Sequence, residues 1–147
     1  MGLQVWGNEI EEVPFTARPA LLEGAVGLIS TAPDFLRFSQ MLLNKGELGG
    51  VRLLSAKAVE SMTINGLPDA MVKARNGMGW GLGNVEVVVD AAAQKVPSSR
   101  GEYGWNGSAG TYFWNDPSAE MVTILMTQFA DRLPAQFKTL ARQSAGE

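Results

Sequence analysis

The chain contains neither cysteine nor histidine. It therefore has no thiol for a disulfide or a nucleophile, no imidazole base and none of the usual zinc ligands. Ser-His-Asp, Cys-His and zinc-hydroxide catalysis are excluded for the chain by itself. Acid–base chemistry would have to use lysine, tyrosine, aspartate or glutamate side chains, and we expect neither a metal site nor a cofactor.

Excess charge and long apolar runs are also missing. Lys and Arg number 12 against 15 Asp and Glu, a net charge of −3 without charge blocks, so nucleic acid is not an expected partner. No apolar run approaches the ~20 residues of a membrane span, and residues 1–8 lack the basic start and apolar stretch of a signal peptide. We expect no membrane contact and, by default, a cytoplasmic chain, while the compartment of any longer protein stays unknown.

The 147 residues, 46% of them apolar, are enough for one domain of ordinary size. We expect an extended opening segment at residues 1–30, a helical segment at 31–66, an antiparallel sheet at 77–129 and a C-terminal helix at 133–143. Helices followed by a meander of strands favour an α+β fold, in which helices flank an antiparallel β-sheet.

Capping residues mark the first two helices. Thr31 and Asp34 have the spacing of a capping box, which predicts a helix from about Ala32 to Lys45. Ser55 has the position of an N-cap for a second helix.

Glycines alternate with Met78, Trp80 and Leu82 between residues 77 and 83. This pattern leaves one face of a strand almost without side chains, so another element can pack closely against it. The large residues then move to odd positions, which predicts a bulge or bend near Gly83-Asn84.

Aromatic and apolar runs predict the last strands. Residues 102–106 and 111–114 read as two strands, and Asn115 to Ser118 as a turn into a third strand at 121–129. The third strand is apolar on both faces, so we expect it to be central in the sheet and covered on each side.

The densest polar and aromatic cluster is residues 103–110, Tyr-Gly-Trp-Asn-Gly-Ser-Ala-Gly. Its small residues allow a ligand to approach the backbone, and strand-edge N–H groups free of side chains can build an oxyanion hole. A glycine-rich hairpin with core aromatics explains the same pattern, and the residues alone leave both interpretations open.

Several segments together resemble a known family. They are residues 22–48, with the run Ile-Ser-Thr-Ala-Pro-Asp-Phe-Leu-Arg-Phe, then 51–55, 60–63, 77–83, 104–117 and 125–128. From about residue 14 onward the chain is similar to the C-terminal part of the β-lactamase-related serine hydrolases. That family includes class C β-lactamases, penicillin-binding-protein-like peptidases and esterases with a β-lactamase fold, and the esterase-like branch is the most similar.

The resemblance implies three motifs: Ser-x-x-Lys, Tyr-x-Asn and a strand motif of the Lys-Thr-Gly type. Trp105, Asn106 and Gly107 occupy the third motif, and Ser108 carries over as the residue whose backbone N–H completes the oxyanion hole. Tyr103 is a candidate for lining the pocket. Trp105 stands where a lysine would help to hold a β-lactam carboxylate, which argues against strong β-lactamase activity.

The first two motifs are absent from these 147 residues: no serine is followed by lysine at the third position, and Tyr103 and Tyr112 are followed two places later by tryptophan instead of asparagine. We therefore expect residues 1–147 to form a single partial domain, with the nucleophile outside it, that is inactive alone. The complete enzyme would act on a small ester, amide or lactam. A sheet without its N-terminal strands would need a complementing N-terminal segment or would self-associate. The alternative is a non-catalytic binding or assembly module that uses the same aromatic residues for contacts.

Overall fold

The computed structural model of the protein describes residues 4–5, 8–9, 30–107, 110–127 and 135–146. The chain forms two compact units, residues 1–31 and 32–147. In the first unit, strand β1 (Gln4–Val5) pairs antiparallel with β2 (Asn8–Glu9). The expectation of a single domain over residues 1–147 stays a prediction.

The second unit holds the helices and the main sheet. Its helices are α1 (Ala32–Leu43), α2 (Ala56–Thr63), α3 (Asp69–Ala74) and α4 (Ala135–Ser144), with a short 3₁₀ turn at Ala91–Ala93. Its strands are β3 (Glu47–Leu48), β4 (Val51–Arg52), β5 (Met78–Gly81), β6 (Val85–Val88), β7 (Tyr103–Asn106), β8 (Tyr112–Asp116) and β9 (Met121–Leu125). Strands β5 to β9 form an antiparallel meander in chain order, which confirms the α+β fold.

The predicted starts of α1 and α2 are confirmed. Helix α1 begins at Ala32, and the Oγ of Ser55 accepts a hydrogen bond of 3.1 Å from the N–H of Ala58 at the start of α2. Helix α3 was not predicted, because it has six residues and follows Pro68, whose side chain makes no capping hydrogen bond. None of the helices in the described ranges is long and apolar enough to cross a membrane.

The predicted bend at Gly83-Asn84 is wrong, because these residues form the turn of a hairpin. Gly81 of β5 pairs with Val85 of β6, and the Asn84 N–H donates to the Gly81 carbonyl at 3.1 Å. Asn84 has a φ of +56°, a left-handed conformation that asparagine tolerates in tight turns. The register places Val85 and Val87 opposite Gly81 and Gly79, so the large side chains of β5 and the valines at 85 and 87 lie on opposite faces of the hairpin.

Two expectations about the end of the sheet are also wrong. Asn115 and Asp116 are the last residues of β8, and the turn begins after them. Among the described strands, β9 lies at the edge of the sheet and all five of its residues are half-buried. An apolar pattern on both faces reports what covers the faces of a strand, whereas its position in the sheet depends on backbone pairing along its edges.

The hydrophobic core lies between the first two helices and the sheet. Its buried residues are Met41, Leu42, Val59, Val85, Val87 and Tyr103. The glycines of β5 let the end of α2 and the loop after it come close: a Cβ on Gly79 would lie 2.8 Å from Asn65 Cβ, and one on Gly81 would lie 3.1 Å from the carbonyl carbon of Met62. This confirms the prediction that another element packs against the bare face of this strand.

Helix α4 is attached to the sheet by charge. Arg142 Nη2 donates to Glu102 Oε2 at 2.7 Å and to Asp116 Oδ2, and Lys138 of the same helix pairs with Glu102. We call these four residues the Arg142 cluster. Glu102, Asp116 and Arg142 are 3%, 0% and 6% exposed, so three of its four charges are withdrawn from water.

Asp116 and Arg142 each stabilise the charged form of the other. Burial by itself would raise the pKa of Asp116, but hydrogen bonds from Ser118, Ser99, the Ala119 N–H and Arg142 lower this pKa to about 2. Burial disfavours the charged guanidinium as well, yet the two carboxylates outweigh it and raise the pKa of Arg142.

We expect Arg142→Met to lower the free energy of unfolding at pH 7 by about 3–5 kcal/mol, because it leaves buried carboxylates without their counter-charge. Urea unfolding followed by circular dichroism measures the change. The matched control is Arg52→Met, which breaks an ion pair with Glu47 whose side chains are 51% and 42% exposed and should cost less than about 1 kcal/mol.

Measuring the same free energies of unfolding at several pH values tests the contribution of Asp116. Because the folded pKa of Asp116 is depressed, its stabilising contribution is present above pH ~4 and disappears as the pH falls towards 2. The difference between the parent chain and Arg142→Met should therefore shrink over this range. Equal losses for the Arg142 and Arg52 variants at pH 7 would contradict this role of the cluster.

Candidate functional site

Strand β7 has a neighbour on both sides for only half of its length. It pairs with β8 over all four of its residues, from Tyr103 opposite Asn115 to Asn106 opposite Tyr112. Its pairing with β6 covers Tyr103 and Gly104 and ends there. No described residue pairs with the second half of β7 on the side of β6, so within the described part of the chain this half has an open edge there.

The direction of the backbone groups at this open edge follows from the ladder. The Gly107 N–H donates to the Thr111 carbonyl at 2.8 Å. Backbone groups alternate in direction along an antiparallel strand, so odd-numbered residues of β7 bond to β8 and even-numbered residues face the other way. The N–H and C=O of Asn106 are thus directed towards the open edge.

Ser108, predicted to complete the oxyanion hole, lies outside the described residues, and its N–H stays a prediction. The other predicted site residues lie on one strand and its continuation, with Trp105 and Asn106 on β7 and Gly107 directly after it.

A cavity of about 280 Å³ lies beside this strand. Its lining comprises Met78, Glu86, Val88, Gln94, Val96, Glu102, Tyr103, Gly104, Trp105, Asn106, Tyr112, Phe113, Trp114, Phe137 and Lys138. Three of the predicted site residues, Tyr103, Trp105 and Asn106, are therefore among those that border it. Trp105 is 43% exposed, which leaves its ring accessible to a ligand.

The charged groups around the cavity are already paired. Lys138 pairs with Glu102, and Glu86 accepts a hydrogen bond of 3.0 Å from Arg75. Among the described lining residues, the positive charge of Lys138 is thus neutralised inside the protein. No cluster of metal-ligating side chains occurs in the described ranges.

Tyr103 belongs to the core as well as to the cavity border. It is 3% exposed and packs with Met41, Leu42 and the valines of β6. Burial raises the pKa of Tyr103, and the Asn115 side chain offsets part of the rise. The phenol is therefore neutral at physiological pH, and its ring acts as a support beneath the site strand.

Sequence reasoning missed the contribution of α4 to this site. Lys138 and Glu102 border the cavity, and both belong to the Arg142 cluster. The available signal was Lys138 and Arg142 at a spacing of four on the final helix, beside its apolar residue Phe137. Their carboxylate partners are 26 to 40 residues away in the sequence, a separation that local patterns do not reveal.

Comparison with known proteins places the chain in a family. A family model described as Beta-lactamase matches residues 4–146. The chain belongs to the β-lactamase family. This confirms the resemblance stated from the sequence motifs, and the fold of the β-lactamase-like hydrolases accounts for the antiparallel sheet with its flanking helices.

Among curated proteins, Rv1367c of Mycobacterium tuberculosis is 35% identical over 131 residues, covering 82% of this chain and 32% of that protein. A protein of Escherichia coli that is named as a D-alanyl-D-alanine carboxypeptidase is 27% identical over 124 residues, covering 84% of this chain and 27% of its own length. The chain thus spans about a third or less of the length of these relatives.

A solved structure gives the same picture of the fold. EstCE1, described as a hydrolase with promiscuous acyltransferase activity, superposes with a TM-score of 0.63 at 22% identity. The match covers 79% of this chain and 29% of EstCE1. At this level of identity the similarity concerns the fold.

The close pairing of β7 with β8 gives a testable consequence. A Cβ on Gly104 would lie 2.8 Å from Trp114 Cα, which is backbone and cannot rotate away. We therefore expect Gly104→Ala to lower the free energy of unfolding by about 1–3 kcal/mol, measured by urea denaturation.

The matched control is Gly66→Ala, because a Cβ there would make an ordinary contact of 3.6 Å with the Trp80 carbonyl oxygen. This control should change stability by less than about 1 kcal/mol. A Gly104→Ala variant as stable as the control would mean that β7 and β8 can separate at this point without cost.

Proposed function

We propose that this chain supplies the third-motif strand and the oxyanion-hole backbone of a serine hydrolase of the esterase type, with the Ser-x-x-Lys nucleophile outside these 147 residues. The observation that carries the proposal is the open edge of β7 at Asn106 beside a cavity. Backbone N–H groups at such an edge are free to bind a negatively charged oxygen.

The reaction would be acyl transfer to serine. The serine oxygen attacks the carbonyl carbon of an ester, amide or lactam, and its proton passes to a lysine or tyrosine base. The carbonyl oxygen becomes an oxyanion, which the N–H groups at the end of β7 stabilise. The leaving alcohol or amine takes up a proton, and water then releases the acid and regenerates the serine.

The charge around the cavity favours an esterase over a β-lactamase. The first position of the third motif is Trp105, which carries no charge. The nearby cations are occupied, since Arg75 pairs with Glu86 and Lys138 pairs with Glu102. A substrate carboxylate would find no free cation among these residues, whereas a neutral ester needs none.

A non-catalytic binding module is the second candidate. It is favoured for the chain alone by the 43% exposure of Trp105 together with the absence of a Ser-x-x-Lys motif. The two candidates differ in whether the open edge of β7 contacts a reacting carbonyl group or only a bound ligand.

The proposal also requires something to cover β9. This strand has β8 on one side, and Met126 directly after it is 47% exposed. Relatives about three times as long supply the additional chain. We propose that a complementing segment from the N-terminal remainder of the enzyme pairs with this edge, and that a second copy takes its place when that segment is missing.

A serine-reactive probe tests the catalytic proposal. We expect a fluorophosphonate to leave the 147-residue chain unlabelled by intact mass, with no turnover of p-nitrophenyl butyrate. A chimaera that joins the chain to the preceding region of Rv1367c should gain one label and esterase activity. A stoichiometric label on the chain alone would overturn the proposal, because it would reveal a nucleophile within these residues.

Two substitutions in the chimaera test the role of the backbone at position 108. Ser108→Pro removes the N–H and should lower kcat about 100-fold to 1000-fold, the loss typical of one oxyanion-hole donor. Ser108→Ala keeps the N–H and should retain kcat within about threefold. Equal losses for the two variants would assign the effect to the serine hydroxyl and contradict an oxyanion role for the backbone.

The open edge of β9 predicts self-association of the isolated chain. Sedimentation velocity over a range of concentrations should show dimers or larger species. Met126→Lys places a charge next to the edge and should shift the chain towards monomer. Leu82→Lys, at a residue that is 82% exposed on the β5–β6 turn, is the control and should leave the distribution unchanged. A parent chain that stays monomeric at every concentration would contradict this prediction.

A further inference from the structure

Trp80 is fixed at both of its backbone groups. Its N–H donates to Asn65 Oδ1 at 3.1 Å, and its carbonyl accepts from the Gly66 N–H at 2.8 Å. Asn65 is itself held, because its side chain exchanges two hydrogen bonds of 2.9 Å with the backbone of Leu67. The position of Trp80 on β5 is therefore determined by the loop after α2.

The Trp80 ring lies between a charged pair and a second indole. The Arg75 guanidinium carbon is 5.7 Å from the ring centroid, and Arg75 is held by its ion pair with Glu86, the residue opposite Trp80 in β6. The ring centroid of Trp105 is 4.9 Å from that of Trp80, with an angle of 84° between the planes. This is an edge-to-face contact of the kind that aromatic pairs prefer.

The contact with Trp80 supports a Trp105 side chain that is otherwise partly exposed. It lies in the half of β7 that β6 does not pair with, and its side chain is 43% exposed at the border of the cavity. The indole of Trp80 reaches it from β5, two strands away in the sheet. This contact restricts the orientations that the Trp105 ring can adopt beside the open edge.

We propose that Trp80 is a positioning residue that fixes the Trp105 ring as the wall for a neutral, apolar acyl or aryl group of the ligand. The inference rests on the proposed function, since it assigns a ligand class to the same site. The Glu86 carboxylate borders the cavity, and the Arg75 and Lys138 cations are neutralised by their partners. A ligand carboxylate is therefore disfavoured at this wall.

The test uses the 147-residue chain without any catalytic step. The chain is labelled with ¹⁵N and titrated with N-phenylbutanamide and with its 4-carboxyphenyl analogue, and the indole N–H resonances are assigned with tryptophan-to-phenylalanine variants. We expect the neutral anilide to shift the Trp105 resonance and to bind at least about tenfold more tightly than the carboxylate, a difference of about 1.4 kcal/mol.

Variants separate positioning from a general loss of structure. Trp80→Ala should weaken binding of the neutral anilide about threefold to tenfold, and Trp80→Phe, which retains an aromatic edge, should restore it to within about twofold. Trp105→Lys should reverse the preference in favour of the carboxylate analogue. Leu82→Ala, on the exposed turn of the same hairpin, is the control and should bind both ligands like the parent chain.

Several results would overturn the inference. They are equal affinity for the two ligands, shifts that spare Trp105, or a Trp80→Ala variant that binds like the parent. If Trp80→Ala does not fold, Trp105→Ala is measured in its place. The Trp105 ring is exposed, and its loss should weaken binding of the neutral anilide by the same factor. If the chimaera fails to hydrolyse esters while the chain keeps this selectivity, the catalytic proposal is rejected and the inference about Trp80 and Trp105 is unaffected.

Discussion

The second unit depends on the buried charge pairing between α4 and the sheet. Glu102 directly precedes β7, and Asp116 is the last residue of β8. Because the two strands are antiparallel, the start of β7 and the end of β8 lie at the same end of the pair, where Arg142 bonds to both carboxylates. Hydrophobic contacts tolerate small sliding motions, whereas buried carboxylates require their hydrogen-bond donors at fixed distances. The cluster thereby fixes the position of the final helix and the register at the base of the site strand.

Glycine has a complementary role in the sheet. Gly79 and Gly81 allow Asn65 and Met62 to contact β5, and Gly104 allows β8 to come close to β7. At each point the absence of a side chain brings backbone within reach of another element. The loop after α2 can then hold Trp80 by both of its backbone groups. The site strand is thus positioned both by buried charge and by close backbone packing.

Local signals in the sequence predicted what depends on local chemistry. The cap at Ser55 and the start of α1 at Ala32 were found because a capping side chain and the backbone it bonds are neighbours in the chain. The bare face of β5 followed from its alternating glycines. The strand motif at Trp105 and Asn106 was predicted from family resemblance and stays a prediction, since its residues alone also describe an ordinary hairpin.

The errors have a common physical origin in non-local structure. Side-chain patterns describe the faces of a strand, so they did not reveal that β9 lies at an edge of the described sheet or that Gly83 and Asn84 reverse the chain. Asp116 looked like a turn residue because aspartate favours turns, but its partner Arg142 stabilises it at the end of a strand. Charge pairing across more than twenty residues leaves no periodic signal.

The short pairing between β6 and β7 leaves the backbone of Asn106 without a partner in β6. Strand β6 stops pairing at Glu86 opposite Gly104 because the chain turns back through residues 82–84 immediately before Val85. Two more residue pairs in this hairpin would carry β6 past Asn106 and occupy its N–H and C=O. The length of this hairpin therefore decides whether the backbone groups of Asn106 are paired within the sheet, without any change in the residues of β7 itself.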